Sequence, residues 1–347
     1  MPTVRISDVA HAAGVSPSTV TRVVRESGYV SEENRKRVKK AVRELGYIPN
    51  RLAQSLKSRR SNLIGNMMPM SSYNTIFAQI GEAVDRAASK KGYNVLTLVS
   101  LNDPKSERLH LNEIIGNMAE GIIYTSGSAL DDDSLEHVVR SGIPIVMVER
   151  ARDLPIFDKV LVNNLLGSRL AAEHLLKKGH RRIGFVGAEG SDPVERDRFA
   201  GFQNALREAG VPLDEGLIRQ MPDYGFSYGF QAAKLLAKHG IPPTAVFFAS
   251  DIFVAGALQY YYSAGIRVPE DVSVIGYDNT LSLHLAPPVT SVAFPVAAMG
   301  EAAVRLIEEH SGKKRRRGKV VTLDPILVER ASVRGITDSS EAGISEN

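Results

Sequence analysis

Two hydrophobic rhythms divide the chain. In the first, Val9, Ala10 and Ala13 recur at helical spacing and Gly14 follows as a residue free to take positive φ. After a tight turn Ser16 offers an N-cap and Pro17 fits a first helical position, and Val20, Val23 and Val24 form the next apolar stripe. The polar side chains left facing outward on that second helix are Ser18, Thr19 and Arg22. A third helix is predicted after Ser31, with Glu32 and Glu33 in its first turn, Val38, Val42 and Leu45 on its apolar face, and Gly46 as its stop. Two short helices joined by a tight turn, the second with a polar face, form the pattern of a helix-turn-helix, in which that second helix enters the DNA major groove. A nine-residue amphipathic segment, 50–58, comes next, with Leu52, Ala53 and Leu56 on one side among Arg51, Lys57, Arg59 and Arg60. Alone in water so short a helix is not stable, so it is expected to form only against something.

From Asn62 the period changes. Short β-branched runs alternate with amphipathic helices: "NLIGNMMP", "YNVLTLVS", "EGIIYTS" and "IPIVMVER" in a first series, then "RRIGFVG", "AVFFAS" and "VSVIGYD" in a second that starts at Asn163 and Asn164. Repeated βαβ units of this size imply two parallel, helix-covered sheets in tandem, whose ligands sit beyond the carboxyl ends of the strands. Two such lobes facing each other make a cleft that a ligand can close.

Charge sharpens the division. Residues 1–60 hold 13 Lys or Arg against 5 acids, a net of +8, which leaves −4 for the remaining 287 residues. A basic head on a mildly acidic body suits a protein that holds a polyanion at one end. With no cysteine the chain has no disulfide, thiolate metal site or cysteine nucleophile. The eight histidines show no HExxH spacing and no GxxxxGK[ST] loop is present, so an enzyme is disfavoured and no cofactor or metal is expected. Lacking a long apolar run or an apolar leader, the sequence predicts a cytoplasmic protein with no membrane partner.

The blocks "DVAHAAGVS", "TVTRVV", "GYVSEENRKRV", "ELGYIPNRLAQSL", "GHRRIGFVG", "RFAGF", "VPEDVSVIGYDN" and "TSV" follow one another in an order that resembles the lac repressor/galactose repressor family of transcription regulators, from Val4 to Arg334. The resemblance implies a small all-α helix-turn-helix head (1–48) plus a hinge helix and linker (49–61). An α/β periplasmic-binding-protein-like core of two tandem parallel-sheet lobes follows (62–336), then a polar tail (337–347) expected to be disordered. The chain is expected to cross between lobes near Leu161–Asn164, Ser291–Phe294 and Val320–Asp324, giving an N-lobe of about 62–161 and 294–321 and a C-lobe of about 164–291 and 324–336. It also implies a homodimer on a pseudo-palindromic double-stranded operator, with a small-molecule effector between the lobes. Carried over by position, Pro17, Ser18 and Arg22 read base edges, Arg22 by a bidentate pairing with guanine. Ser16, Thr19, Ser31, Tyr47 and Asn50 hold phosphates, Ala53 faces the minor groove, and Leu56 wedges into the central base step. Arg5 departs from the family, which places a threonine cap there; either the cap is lost or Arg5 adds a backbone contact.

Strand ends and helix starts in the core supply the candidate effector site: Phe77, Glu149, Arg150, Arg198, Tyr224, Asp251, Asp278 and Phe294. By resemblance Arg198 and Asp278 hydrogen-bond the ligand, and Phe77 and Phe294 form its apolar wall. Charged groups between aromatic faces suit a polyhydroxylated ring. Asp251 and Glu149 have a competing role, because strand-end acids often cap or pair structurally. Asp192 and Val194 stand where purine-binding relatives place an arginine and a threonine, which favours a sugar or sugar derivative. Control by a nucleoside, a purine or a protein partner is the alternative. The basic run Lys313–Lys319 reads as a solvated loop, Tyr260–Tyr262 as dimer interface or ordinary packing. The tail lacks the leucine heptad of tetramer-forming relatives, which favours a dimer.

Overall fold

The computed structural model describes residues 4–24, 26–47, 61–69, 75–100, 103–125, 132–149, 156–190, 193–311 and 317–336. The chain divides into two compact units, Met1–Ser61 and Asn62–Asn347.

In the first unit, helices α1 (Ile6–Ala13), α2 (Pro17–Val24) and α3 (Glu32–Leu45) enclose a small core of Val9, Ala10, Ala13, Val20, Val23, Val38 and Ala41. Gly14 and Gly46 end α1 and α3 at φ +60 and +62, where an L side chain is strained. Ser31 caps α3 by accepting from the Asn34 N–H at 3.4 Å. Leu45 does not join the apolar face expected of it: it is 38% exposed. Ala41 and the half-buried Tyr47 pack against the cluster instead, so the last turn of α3 passes its edge.

The second unit opens with strands β1 (Leu63–Met68), β2 (Asn94–Val99), β3 (Gly121–Tyr124), β4 (Ile145–Val148) and β5 (Asp158–Val162). Helices α4 (Ile76–Lys90), α5 (Pro104–Gly116) and α6 (Asp132–Ser141) alternate with them. Helix α7 (Asn164–Lys177) begins the second series, followed by β6 (Ile183–Ala188), α8 (Pro193–Glu208), β7 (Ile218–Met221), α9 (Phe226–Ala237), β8 (Ala245–Phe248), α10 (Asp251–Ser263), β9 (Ser273–Asp278) and β10 (Thr290–Ala293). The chain then returns through α11 (Val296–His310) and β11 (Val320–Leu323) and ends the sheets with β12 (Ile326–Val328).

The two sheets repeat one order, β11-β5-β4-β3-β1-β2 and β12-β10-β9-β8-β6-β7. Every neighbouring pair is parallel except β10 with β12. The central strands β3, β4, β6, β8 and β9 are buried along their whole length, which explains their continuous apolar runs. The chain passes between sheets at residue 163, at 294–295 and at 324–325. The second and third passages fall at the carboxyl ends of the ranges that the pattern gives, because Thr290–Ala293 still pairs with β9 and Val320–Leu323 still pairs with β5. At the first passage Asn163 accepts from the Leu166 N–H to cap α7 and donates from Nδ2 to Asp324 Oδ1 at 2.9 Å, tying two passages together. In both sheets the order reverses beside β1 or β6, so the carboxyl ends of β3, β4, β8 and β9 border the crevice where α/β sheets bind ligands. Among the described residues no helix is long and apolar enough to cross a membrane, and no three acids or histidines are placed to hold a metal ion.

Candidate functional site

Two groups of residues have the geometry of sites, one in each unit. In the first unit the start of α2 carries a cluster of hydroxyls. Ser16 Oγ accepts from the Thr19 N–H at 3.2 Å and lies 2.7 Å from Ser18 Oγ and 2.9 Å from Thr19 Oγ1. This caps α2 and holds three hydroxyls at its N-terminus, where unpaired N–H groups and the helix dipole favour an anion. Pro17, Ser18 and Arg22 are exposed on the same helix, and the Arg22 stem packs under the Gly28 turn, its Cδ 3.6 Å from the position of a Cβ there. Ser31 is exposed at the start of α3, while Tyr47 is half-buried. Arg5 sits at the N-cap of α1 without a side-chain cap, and the Asp8 carboxylate accepts from the Arg5 N–H at 2.8 Å. One arm of a capping box therefore survives the loss of the other. Tyr29, 90% exposed in the connection between α2 and α3, was not expected from periodicity, although an aromatic beside Gly28 signals a presented side chain. Asn50, Ala53 and Leu56 lie outside the described residues.

In the second unit the site grows around one guanidinium. Arg198, in the second turn of α8, is 4% exposed. Its Nε donates to Asn164 Oδ1 at 3.0 Å and its Nη1 donates to the Ala249 carbonyl at 2.7 Å and to Tyr224 Oη at 3.2 Å. Nη2 lies 3.6 Å from Glu149 Oε1 and 3.7 Å from Asp278 Oδ1, within ion-pair range but too far for hydrogen bonds. The guanidinium carbon lies 4.1 Å from the Tyr277 ring centroid and 5.7 Å from that of Phe294. Thus Glu149 from β4 of the first sheet and Asp278 from β9 of the second flank the same cation, and Phe294 at the second passage supplies an aromatic wall. Phe77, at the start of α4, is buried in the same apolar cluster as Tyr277 and Phe294.

Electrostatics follow from this burial. Desolvation pushes the Asp278 carboxyl up to about 7 against the pull of Arg198, and Asp251 and Glu149 add to the rise. Burial would lower Arg198, but Tyr224, Asp278, Tyr277 and Glu195 outweigh it and hold the guanidinium charged. Asp278 also accepts from Ser250 Oγ at 2.6 Å, and both it and Glu149 take positive φ, +90 and +67. Such backbone conformations in non-glycine residues cluster at ligand-holding positions.

Both oxygens of Asp251 are engaged within the chain. Its Oδ2 accepts from the Thr280, Leu281 and Ser282 N–H groups and from Ser282 Oγ, and its Oδ1 accepts from Ser291 Oγ at 2.8 Å. Four of those five bonds hold the loop that follows Asp278, and the fifth reaches β10. Arg150 lies outside the described residues. Sequence reasoning missed Asn164, Glu195 and Tyr277. Glu195 precedes Arg198 by three residues on one helix, which puts both on one face, and its Oε1 accepts from Tyr224 Oη at 2.5 Å. Asn164 Oδ1 accepts from both Arg198 and Tyr277 Oη, a junction that only the folded chain creates.

Each unit has counterparts in known proteins. The model of "Bacterial regulatory proteins, lacI family" matches residues 5–50, and that of "Periplasmic binding protein-like domain" matches 172–333. The HTH-type transcriptional regulator DegA of Bacillus subtilis (strain 168) is 36% identical over 330 residues, covering 94% of this chain and 97% of DegA. The chain belongs to the lacI family of bacterial regulatory proteins. The HTH-type transcriptional repressor PurR of Mannheimia succiniciproducens is 33% identical over 332 residues, covering 95% of this lacI-family chain and 99% of that repressor. Among solved structures, the lac repressor bound to ONPG in its repressed state superposes with a TM-score of 0.80 at 29% identity, covering 96% of this chain and 100% of that one. The lacI-family chain is therefore a DNA-binding transcription regulator and not an enzyme.

Proposed function

We propose that this lacI-family regulator represses transcription as a homodimer on a pseudo-palindromic operator, and that a sugar or sugar derivative held around Arg198 sets its grip on DNA. The observation that carries the reading is the Arg198 guanidinium, buried on an aromatic face and flanked by one acid from each sheet. A hydroxylated ring entering there takes Arg198, Glu149 and Asp278 as hydrogen-bond partners and Phe77, Tyr277 and Phe294 as apolar walls. In doing so it changes how the sheets meet, which is what an effector must do to move an equilibrium. Val194, buried and apolar, brings no hydroxyl to a nucleobase, which supports a sugar over a nucleoside.

On DNA, the Ser16, Ser18 and Thr19 hydroxyls at the start of α2 serve phosphates and base edges, and Arg22 reads guanine. Leu56 is assigned the minor-groove wedge. The exposed Leu283 and Tyr262 are offered as part of the surface between copies. The decisive experiment measures operator affinity by fluorescence anisotropy with and without compounds that raise the melting temperature. A stabilising sugar changes wild-type operator affinity at least tenfold and leaves the Arg198→Ala protein unmoved while its effector-free DNA binding persists. A stabilising sugar with no effect on wild-type operator affinity defeats the reading. At the hinge, Leu56→Ala lowers specific binding much more than nonspecific binding.

A further inference from the structure

The first sheet holds two neutral polar side chains that the Arg198 cluster does not use. Asn66, within β1, and Thr125, just after β3, are both fully buried. Among the described residues, neither atom of the Asn66 amide has a hydrogen-bond partner, and the Thr125 hydroxyl has none either. A buried donor or acceptor left unmade costs stability, so a folded chain that keeps one calls for a group from elsewhere to satisfy it.

The two belong to one place. Asn66 pairs in register with Ile123, and the Thr125 N–H donates to the Met67 carbonyl at 2.9 Å. Side chains alternate along a strand, so Ile64, Asn66, Ile123 and Thr125 share one face of the sheet. It is the face under α4, because Ile64 and Ile123 pack in one cluster with Phe77 and Ile80, whereas Met67 and Tyr124 pack in another. Diagonal neighbours on adjacent strands stand about 8 Å apart at the backbone, a gap that one oxygen bridges with two hydrogen bonds. On α4, Phe77 and Gly81 lie one turn apart on one side. A Cβ at Gly81 would stand 3.5 Å from Asn66 Nδ2, and the Met68 methyl takes the place of that Cβ. The amide therefore lies one turn inward from Phe77, a wall of the effector site in the reading above. Met68, unbranched and flexible, is the side chain that moves to let a ligand reach it.

The chemistry of the pair selects what enters. Asn66 offers a donor and an acceptor, and the Thr125 hydroxyl serves as either. An ammonium only donates, which leaves Asn66 Nδ2 unpaired, and a phosphate accepts, which leaves Asn66 Oδ1 unpaired. A hydroxyl donates to Oδ1 and accepts from Nδ2 or from Thr125. We propose that Asn66 and Thr125 form a deep subsite that takes one neutral hydroxyl of the effector, with Asn66 as its specificity-determining residue. This inference rests on the reading that the effector sits at Arg198. Its consequence is a trade: in the effector-free chain the amide weakens the fold, and on binding it adds affinity.

The test compares the full-length wild type with Asn66→Leu, which keeps the branching of the side chain and removes its polar atoms. Melting without ligand should rise by about 2–4 °C in the variant. Isothermal titration then uses D-glucose, D-galactose, D-mannose and D-ribose with their monodeoxy and amino-deoxy analogues. A sugar that binds wild type should bind Asn66→Leu at least tenfold more weakly. One of its deoxy forms should bind both proteins alike, and the amine at that carbon should not restore affinity. A variant that melts below wild type has lost an amide already satisfied, by a trapped water for example, and overturns the subsite. So does a parent sugar that binds both proteins equally, which leaves control by a sugar at Arg198 standing. No binding of any compound in the panel to wild type counts against both. Thr125→Val, which trades the hydroxyl for a methyl of the same shape, repeats both readings if Asn66→Leu fails to fold.

Discussion

The head and the core use polar side chains in opposite ways. On α2 the candidate groups stand at the surface: Ser16, Ser18 and Thr19 share a small hydroxyl network, and Arg22 is exposed with its stem against the Gly28 turn. In the core the candidate groups are buried and held by the scaffold: Arg198 binds Asn164, Tyr224 and the Ala249 carbonyl at once. The difference teaches where function and stability separate. An exposed reader can change without harm to the fold, because water satisfies whatever is left. A buried sensor is part of the fold, so changing it leaves charges stranded away from water.

The contrast is strongest at Arg198. Truncation in Arg198→Ala strands Glu149 and Asp278, and urea unfolding of the core should show a loss of about 3–5 kcal/mol at neutral pH. A loss below about 1 kcal/mol would erase the contrast. Asp278 gives a pH signature of the same burial. Its carboxyl is raised to about 7 from an ordinary value of 3.8, so its contribution to stability is fully present below pH 4 and is lost as pH rises through 7. Over that window the loss is on the order of 4 kcal/mol. Asp278→Asn, which keeps the neutral form at all pH, should flatten this slope in thermal melts taken from pH 4 to 8.

On the exposed side, Arg22→Ala should leave the melting temperature within experimental error and reduce discrimination between operator and a guanine-substituted site by about 1–3 kcal/mol. A large fall in stability would place Arg22 with the buried class. The smallest effect is expected at Ser16→Ala, where losing the cap of α2 costs the head about 1 kcal/mol in denaturant titration.

The same contrast explains what the sequence disclosed. Local grammar fixes the head: the Ser16 cap, Pro17, and the stops at Gly14 and Gly46 each act within four residues, and each stands where the pattern puts it. Arg5 needed the structure, because what keeps α1 capped is the Asp8 carboxylate, a group that reads equally well as a first-turn acid. In the core, alternation revealed the strands but not their order, which depends on long-range pairing. Strand ends, a helix start and a crossover pointed to Glu149, Asp278, Arg198 and Phe294, which meet. The same rule pointed to Asp251, whose oxygens turn out to be taken by a loop some 29–31 residues further on. Asn164 escaped notice because an asparagine at a helix start looks like any other until Arg198 and Tyr277 arrive from 34 and 113 residues away.

That one guanidinium touches acids from both sheets gives the core a single coordinate, the gap between β4 and β9. The chain contains no cysteine, so one introduced on α6 and one on α9 would be the only thiols present. A fluorophore pair placed there turns the gap into a colour ratio. The sensor that the cell reads through DNA becomes an optical gauge that needs no DNA at all.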